Sequence, residues 1–112
     1  MYKKINDINE LIINKWDTFE LFEISEEQKE NLLNSPHLFK EHIMFNKGTI
    51  WEEHSHTRSQ MLLVIAGKLT HVVNGKEFTQ EKNDILIVPQ NLLHSAYSGR
   101  NKPLLVYVFN KK

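Results

Sequence analysis

From Leu38 to Phe109 the sequence is cut into short apolar runs by turn-forming residues at close spacing. The runs are 39–45, 49–56, 60–66, 69–73, 76–79, 84–88, 93–97 and 104–109, punctuated by Asn46-Lys47-Gly48, Gly67-Lys68, Asn74-Gly75 and Lys82-Asn83-Asp84. A chain patterned in this way folds as an all-β sandwich or barrel. Asn74-Gly75 lies between Val72-Val73 and Lys76-Glu77-Phe78. It predicts a two-residue hairpin, because both residues tolerate positive φ. Met61-Leu62-Leu63-Val64-Ile65-Ala66 reads as a strand buried on both faces. That is more buried strand face than a lone barrel covers, so a homodimer is expected.

Residues 1–36 have a different character and read as an extension to a barrel at 38–110, all within one domain of 112 residues. Ile5, Ile8, Leu11, Ile12 and Trp16 recur at helical spacing, and Asp7 with Glu10 three residues on resembles a capping box. This predicts a helix over about 7–15. Asp17 to Ile24 is rich in β-formers and predicts a strand. Ser25-Glu26-Glu27-Gln28 is a second capping-box pattern, opening a short helix that stops before Pro36.

Composition excludes several classes. Fourteen Lys and Arg balance fourteen Asp and Glu. Nucleic acid and anionic membranes both demand a basic face, so neither is the expected partner. With no cysteine, thiolate metal sites, disulfides and cysteine nucleophiles are ruled out. No apolar run approaches the ~20 residues of a membrane span. No apolar signal segment follows Lys3 and Lys4, so a cytoplasmic protein is expected.

Six histidines remain as the carriers of chemistry: His37, His42, His54, His56, His71 and His94. His37, beside Pro36, and His71, in a hairpin strand, read as ordinary hydrogen-bonded or surface residues. His42 shares strand parity with Met44 and is ambiguous. His54-Ser55-His56 is different. In a strand, residues i and i+2 point to one face with Cα atoms ~6.6 Å apart. Two such imidazoles can converge on one ion through bonds of ~2.0–2.1 Å. Gln60 has the same parity but would lie ~13 Å beyond His56 in a straight strand. If the chain turns at Thr57-Arg58-Ser59, Gln60 opens the neighbouring strand and faces the same point. His94, after the Pro89-Gln90-Asn91 turn, supplies a third nitrogen. Met44, Trp51, Leu62, Tyr97, Tyr107 and Phe109 are further interior candidates, each read as core. Glu52 shares parity with His54 but is expected to be solvated.

At this point the sequence resembles the cupin superfamily. That family's first motif, G-x5-H-x-H-x3,4-E-x6-G, matches Gly48, His54, His56, Gln60 and Gly67. Its second, G-x5-P-x-G-x2-H-x3-N, is met more loosely by Asn83, Pro89, Asn91, His94 and Ser98. The resemblance implies a double-stranded β-helix (jelly-roll) barrel with a short N-terminal helical segment, a divalent metal inside it and commonly a homodimer. The ligand set is then His54, His56, Gln60 and His94. Gln60 stands where the family usually has Glu, so the ligands are all neutral and the ion keeps its full +2 charge. Nickel or zinc is expected first, iron or manganese next, with no other cofactor. Asn83 and Asn91 replace glycines, and Asn is among the residues that best tolerate left-handed backbone.

Two functions follow from the resemblance. The His-Ser-His-x3-Gln spacing is similar to that of small cupins that isomerise unsaturated uronates. This implies a metal-dependent isomerase or tautomerase, or a dioxygenase, acting on a small sugar acid or carbonyl compound. No acid–base pair can be named. The alternative is a non-catalytic sensor of a small molecule, since residues 56–62 resemble the ligand domain of AraC-type regulators. The chain carries no basic recognition helix after its last strand, so direct DNA binding is not expected.

Overall fold

A computed structural model describes residues 2–112, and their side chains from Lys4 onward. Met1 lies outside the described residues. The elements in chain order are β1 (Tyr2–Lys4), α1 (Ile8–Asn14), β2 (Glu20–Glu23), α2 (Glu26–Leu33), β3 (Leu38–Phe45), β4 (Ile50–His54) and β5 (Gln60–Ala66). They continue with β6 (Leu69–Val73), β7 (Lys76–Gln80), β8 (Asp84–Val88), β9 (His94–Ser98) and β10 (Leu104–Lys111). The strands form two sheets, one ordered β1-β2-β8-β5-β10-β3 and the other β4-β9-β6-β7. Every pairing is antiparallel except β1 with β2. The alternating runs are its strands, and the arrangement is the jelly-roll barrel that the resemblance implies. Among the described residues, no helix is long and apolar enough to cross a membrane.

The turns obey their chemistry. Asn74 and Gly75 both have positive φ (52° and 77°) and join β6 to β7 in register, Val73 opposite Lys76. Asn83 and Asn91 also adopt positive φ (68° and 65°), so both asparagines take up the left-handed backbone that glycine usually supplies. Ser98, at the position of the family's last Asn, accepts the Thr49 amide at 2.8 Å and fastens β9 to the start of β4.

The N-terminal segment lies on the outer face of the six-stranded sheet. Asp7 caps α1 through the Asn9 amide, two residues on, at 3.0 Å; the amide of Glu10 bonds instead to the Asp7 carbonyl. Ser25 and Gln28 form the full capping box of α2. Ile8, Leu11 and Ile12 of α1, Leu32 of α2, and Trp16 pack on Met61, Leu63, Ile85, Ile87 and Phe109. The predicted strand at 17–24 contracts to Glu20–Glu23, where it pairs with β8 and extends the barrel's own sheet.

This arrangement corrects the reasoning that led to a dimer. Met61 and Leu63 are fully buried, and what covers them is the chain's own α1, α2 and Trp16. Leu62 and Val64 face the space between the sheets, within apolar clusters of their own. From Met61 to Val64 the run is therefore covered on both faces without a second copy, while Ile65 is half-buried and Ala66 exposed. Tyr107 and Phe109 pack on this outer side too, whereas Met44 is 70% exposed.

Gly67 has the least freedom of the turn residues. Its φ is +84°, and a Cβ there would lie 2.6 Å from the Pro103 carbonyl oxygen. Gly48 has φ +73° with open space around it. Left-handed backbone costs an ordinary residue about 1–2 kcal/mol. Gly48→Ala should lose about that much stability in urea denaturation. Gly67→Ala should lose clearly more, because backbone must also move. Equal losses would show that the Pro103 contact has no energetic weight.

Candidate metal centre

His54 is the last residue of β4 and His94 the first of β9, and the two are direct partners across the sheet. The β4–β9 register shifts between Trp51 and His54. His56 lies beyond the end of β4, so the simple i, i+2 rule does not place it. A backbone tie does. The Asn91 amide donates to the His56 carbonyl at 2.7 Å, joining the loop before β5 to the loop before β9. The left-handed Asn91 makes that approach, and the Gln90 amide adds a bond to Ser59 Oγ at 2.9 Å.

The three imidazoles converge. Ring centroids are 4.8 Å apart for His54 and His56, 4.4 Å for His54 and His94, and 5.3 Å for His56 and His94. One nitrogen from each falls within 4.8 Å of the others. His54 Nδ1 lies 2.6 Å from the Glu52 carbonyl, and His94 Nδ1 lies 2.8 Å from the Leu92 carbonyl. A carbonyl only accepts, so both Nδ1 atoms carry the proton and both Nε2 atoms present bare lone pairs. Fixing the tautomer through the far nitrogen is how metal-binding histidines are held.

The residues fit a cation. His54 Nε2 and His56 Nε2 are 3.1 Å apart. Two nitrogens ~2.0–2.1 Å from one ion, at angles between square and tetrahedral, lie ~2.9–3.4 Å apart. Burial, then the charges of its two neighbours, holds His56 below the usual histidine range. Burial does the same for His94, opposed by the Leu92 carbonyl and aided by His54. Both rings are thus kept neutral, the form that binds metal. The three histidines could hold an ion.

Gln60 opens β5 in the other sheet, and its side chain lines the same cavity. The cavity has a volume of about 230 Å³ and lies between the sheets. Its apolar wall includes Ile43, Phe45, Trp51, Leu62, Leu104 and Val106. Trp51 and Leu62 are therefore interior, as expected. Tyr97 is not: it is 39% exposed and donates to Glu77 at 2.8 Å. Glu52 is exposed and serves the site through its backbone carbonyl. His42 faces away from the cavity and stacks on Tyr107 at 4.5 Å.

Two residues missed by sequence reasoning also line the cavity. Glu41, at its exposed edge, carries the carboxylate. His71 is 2% exposed, and its Nε2 bonds Gln80 Oε1 at 2.8 Å. Its Nδ1 is buried and has no partner; an unmet buried acceptor costs about 1–3 kcal/mol. The available signal was parity. His71 shares a strand face with Leu69 and Val73, both buried.

A cupin-domain family model matches residues 41–110. Among solved structures, a cupin-like protein from Thermotoga maritima is similar at 22% identity and a TM-score of 0.59, over 72% of this chain and 62% of that one. An RmlC-like cupin from Shewanella frigidimarina is similar at 26% identity and a TM-score of 0.55, over 68% of both chains. A salicylate 1,2-dioxygenase from Pseudoaminobacter salicylatoxidans, in complex with gentisate, shares the fold at 22% identity and a TM-score of 0.56. That match covers 68% of this chain but only 20% of the dioxygenase. This chain thus spans less than two thirds of the Thermotoga protein and one fifth of the enzyme. No curated protein matches the sequence.

His71 also sets a pH dependence. Burial, opposed by the Gln80 bond, lowers it from 6.5 to about 4. In acid the unfolded chain takes up this proton before the folded one does. The stability it contributes is complete above pH ~6.5 and is lost as pH falls toward 4, roughly 3 kcal/mol across the window. Urea midpoints of metal-free protein should fall from pH 7 to pH 4.5, and His71→Phe should flatten that slope. An unchanged slope in the variant would assign the acid sensitivity to other groups.

Proposed function

The chain belongs to the cupin family, and from that premise we propose that it holds one divalent cation on His54, His56, His94 and Gln60 and acts there on a small carbonyl compound. The observation that carries this reading is the meeting of three imidazoles, two of them held through Nδ1 by backbone carbonyls, at ligand spacing. Nickel or zinc suits three nitrogens and a neutral oxygen, with iron or manganese next. When bound, such an ion is a Lewis acid that polarises a carbonyl oxygen, and no anionic ligand here reduces its charge.

The cavity wall selects the substrate class. Among the described residues no Lys or Arg lines it, and most of its surface is apolar. A sugar acid would leave its hydroxyls and carboxylate largely without partners, at a desolvation cost. A small dicarbonyl or hydroxycarbonyl compound, apolar apart from two adjacent oxygens, fits better. With its oxygen toward the ion, Gln60 keeps its amide N–H to orient one of those oxygens, the β3 and β10 side chains exclude water, and Glu41 is placed to exchange a proton at the cavity edge. Tautomerisation is the reaction this supports. The apolar wall also favours a second reading, dioxygenation of an enolic or aromatic compound, which would require a redox-active ion. The fold shared with salicylate 1,2-dioxygenase is in keeping with that reading.

Elemental analysis tests the site. The parent should carry about one equivalent of metal, and His56→Ala should bind it at least roughly a hundredfold more weakly. Equal metal content in both would remove His56 from the site. Metal-loaded protein is then given 1,2-diketones, α-hydroxyketones and uronates, with ultraviolet absorbance reporting tautomerisation and an oxygen electrode reporting dioxygenation. Turnover of the ketones and not of the uronates is expected. Binding without any turnover would make the protein a sensor instead.

A further inference from the structure

His71 and Gln80 form a unit that the metal reading does not use. Gln80 is fully buried, and its Nε2 donates to the Leu62 carbonyl at 2.8 Å and to the Asp84 carbonyl at 3.1 Å. Those two bonds fix which way the amide faces, so the atom turned to His71 is the oxygen, Oε1. An amide oxygen only accepts. His71 Nε2 therefore carries the proton and donates it to Gln80 across 2.8 Å. The consequence is at the other edge of the ring. Nδ1 must be a bare lone pair, and it is buried without a partner. The ring lines the same cavity as His54, His56, His94 and Gln60.

Buried acceptors are nearly always satisfied, so this one calls for a donor. No side chain of the cavity wall, Gln60 and the three other histidines included, donates a hydrogen bond to it. We propose that His71 reads the ligand: its Nδ1 accepts a hydrogen bond from a hydroxyl of the bound molecule. The substrate is then a hydroxycarbonyl or enol rather than a diketone, which has no hydrogen to give. Burial keeps the ring neutral, so an anion gains nothing from it. This deepens the reading of the cavity as a site for small carbonyl compounds, and rests on it for where the ligand lies.

The test uses two probes that differ in one position: 1-hydroxy-1-phenylpropan-2-one and 1-phenylpropane-1,2-dione. Their affinities for the parent and for His71→Phe are measured by calorimetry, with and without zinc. The parent should prefer the hydroxyketone about ten- to hundredfold, the worth of one buried hydrogen bond, and the variant should lose that preference. A second measurement needs no variant. The ¹⁵N spectrum of the parent's histidines should show His71 protonated on Nε2, with a bare Nδ1 signal that moves upfield when the hydroxyketone is added and stays in place with the dione. A preference that survives in His71→Phe, a His71 protonated on Nδ1, or an Nδ1 signal that the hydroxyketone leaves unmoved would overturn the proposal. Zinc content is determined on the same samples. A responding Nδ1 in protein that binds no zinc would sink the metal site and leave the role of His71 standing.

Discussion

The site depends on one backbone hydrogen bond, from the Asn91 amide to the His56 carbonyl. His54 and His94 need no such help, because strand pairing sets them opposite each other. His56 has left its strand and belongs to a loop that could point anywhere. Tying that loop to the turn before β9 brings its ring against the other two. The tie requires Asn91 in the left-handed region, where an Asn side chain is tolerated far better than a branched one. A turn residue with no chemistry of its own thus decides whether three imidazoles meet.

The barrel around the site is held from both sides. The six-stranded sheet is apolar on its inner face, which shapes the cavity, and on its outer face, which α1 and α2 cover. The extension also adds β1 and β2 to that sheet, next to β8. Strand β8 pairs with β5, and Gln60 at the start of β5 lies opposite Val88. The N-terminal segment therefore stabilises the strand that carries Gln60, although it contributes no group to the cavity.

Much of this was legible in the sequence because period-two patterning and turn chemistry are local. Asn74-Gly75 fixed the register of a hairpin, and the apolar runs located the strands to within a residue or two. What escaped was of two kinds. Parity fails where the ladder is irregular or has ended, as at the β4 register shift before His54 and at His56, beyond the end of that strand. Cover is non-local: a run apolar on both faces asks for a partner without saying which, and here the partner is the chain's own α1 and α2 rather than a second copy. Met44 was misjudged for a related reason, turned to solvent by the parity of β3, whereas Phe109 is core as expected, in the layer outside the sheet.

His71 shows how an unremarkable residue becomes chemical. In sequence it is one of two polar positions in Leu69-Thr70-His71-Val72-Val73, marked only by its parity with Leu69 and Val73. The hairpin register puts Leu69 opposite Gln80, so Gln80 lies diagonally across from His71 on the same face. Two carbonyls then fix the amide, the amide fixes the imidazole, and the imidazole is left with a lone pair in an apolar space. A metal centre built from neutral ligands has the same property: unmet lone pairs held in fixed directions. The cavity is thus lined by the lone pairs of His54 Nε2, His94 Nε2 and His71 Nδ1, on rings whose other nitrogen is already engaged. A cation on one side and a donor hydroxyl on the other would offset the cost of burying them.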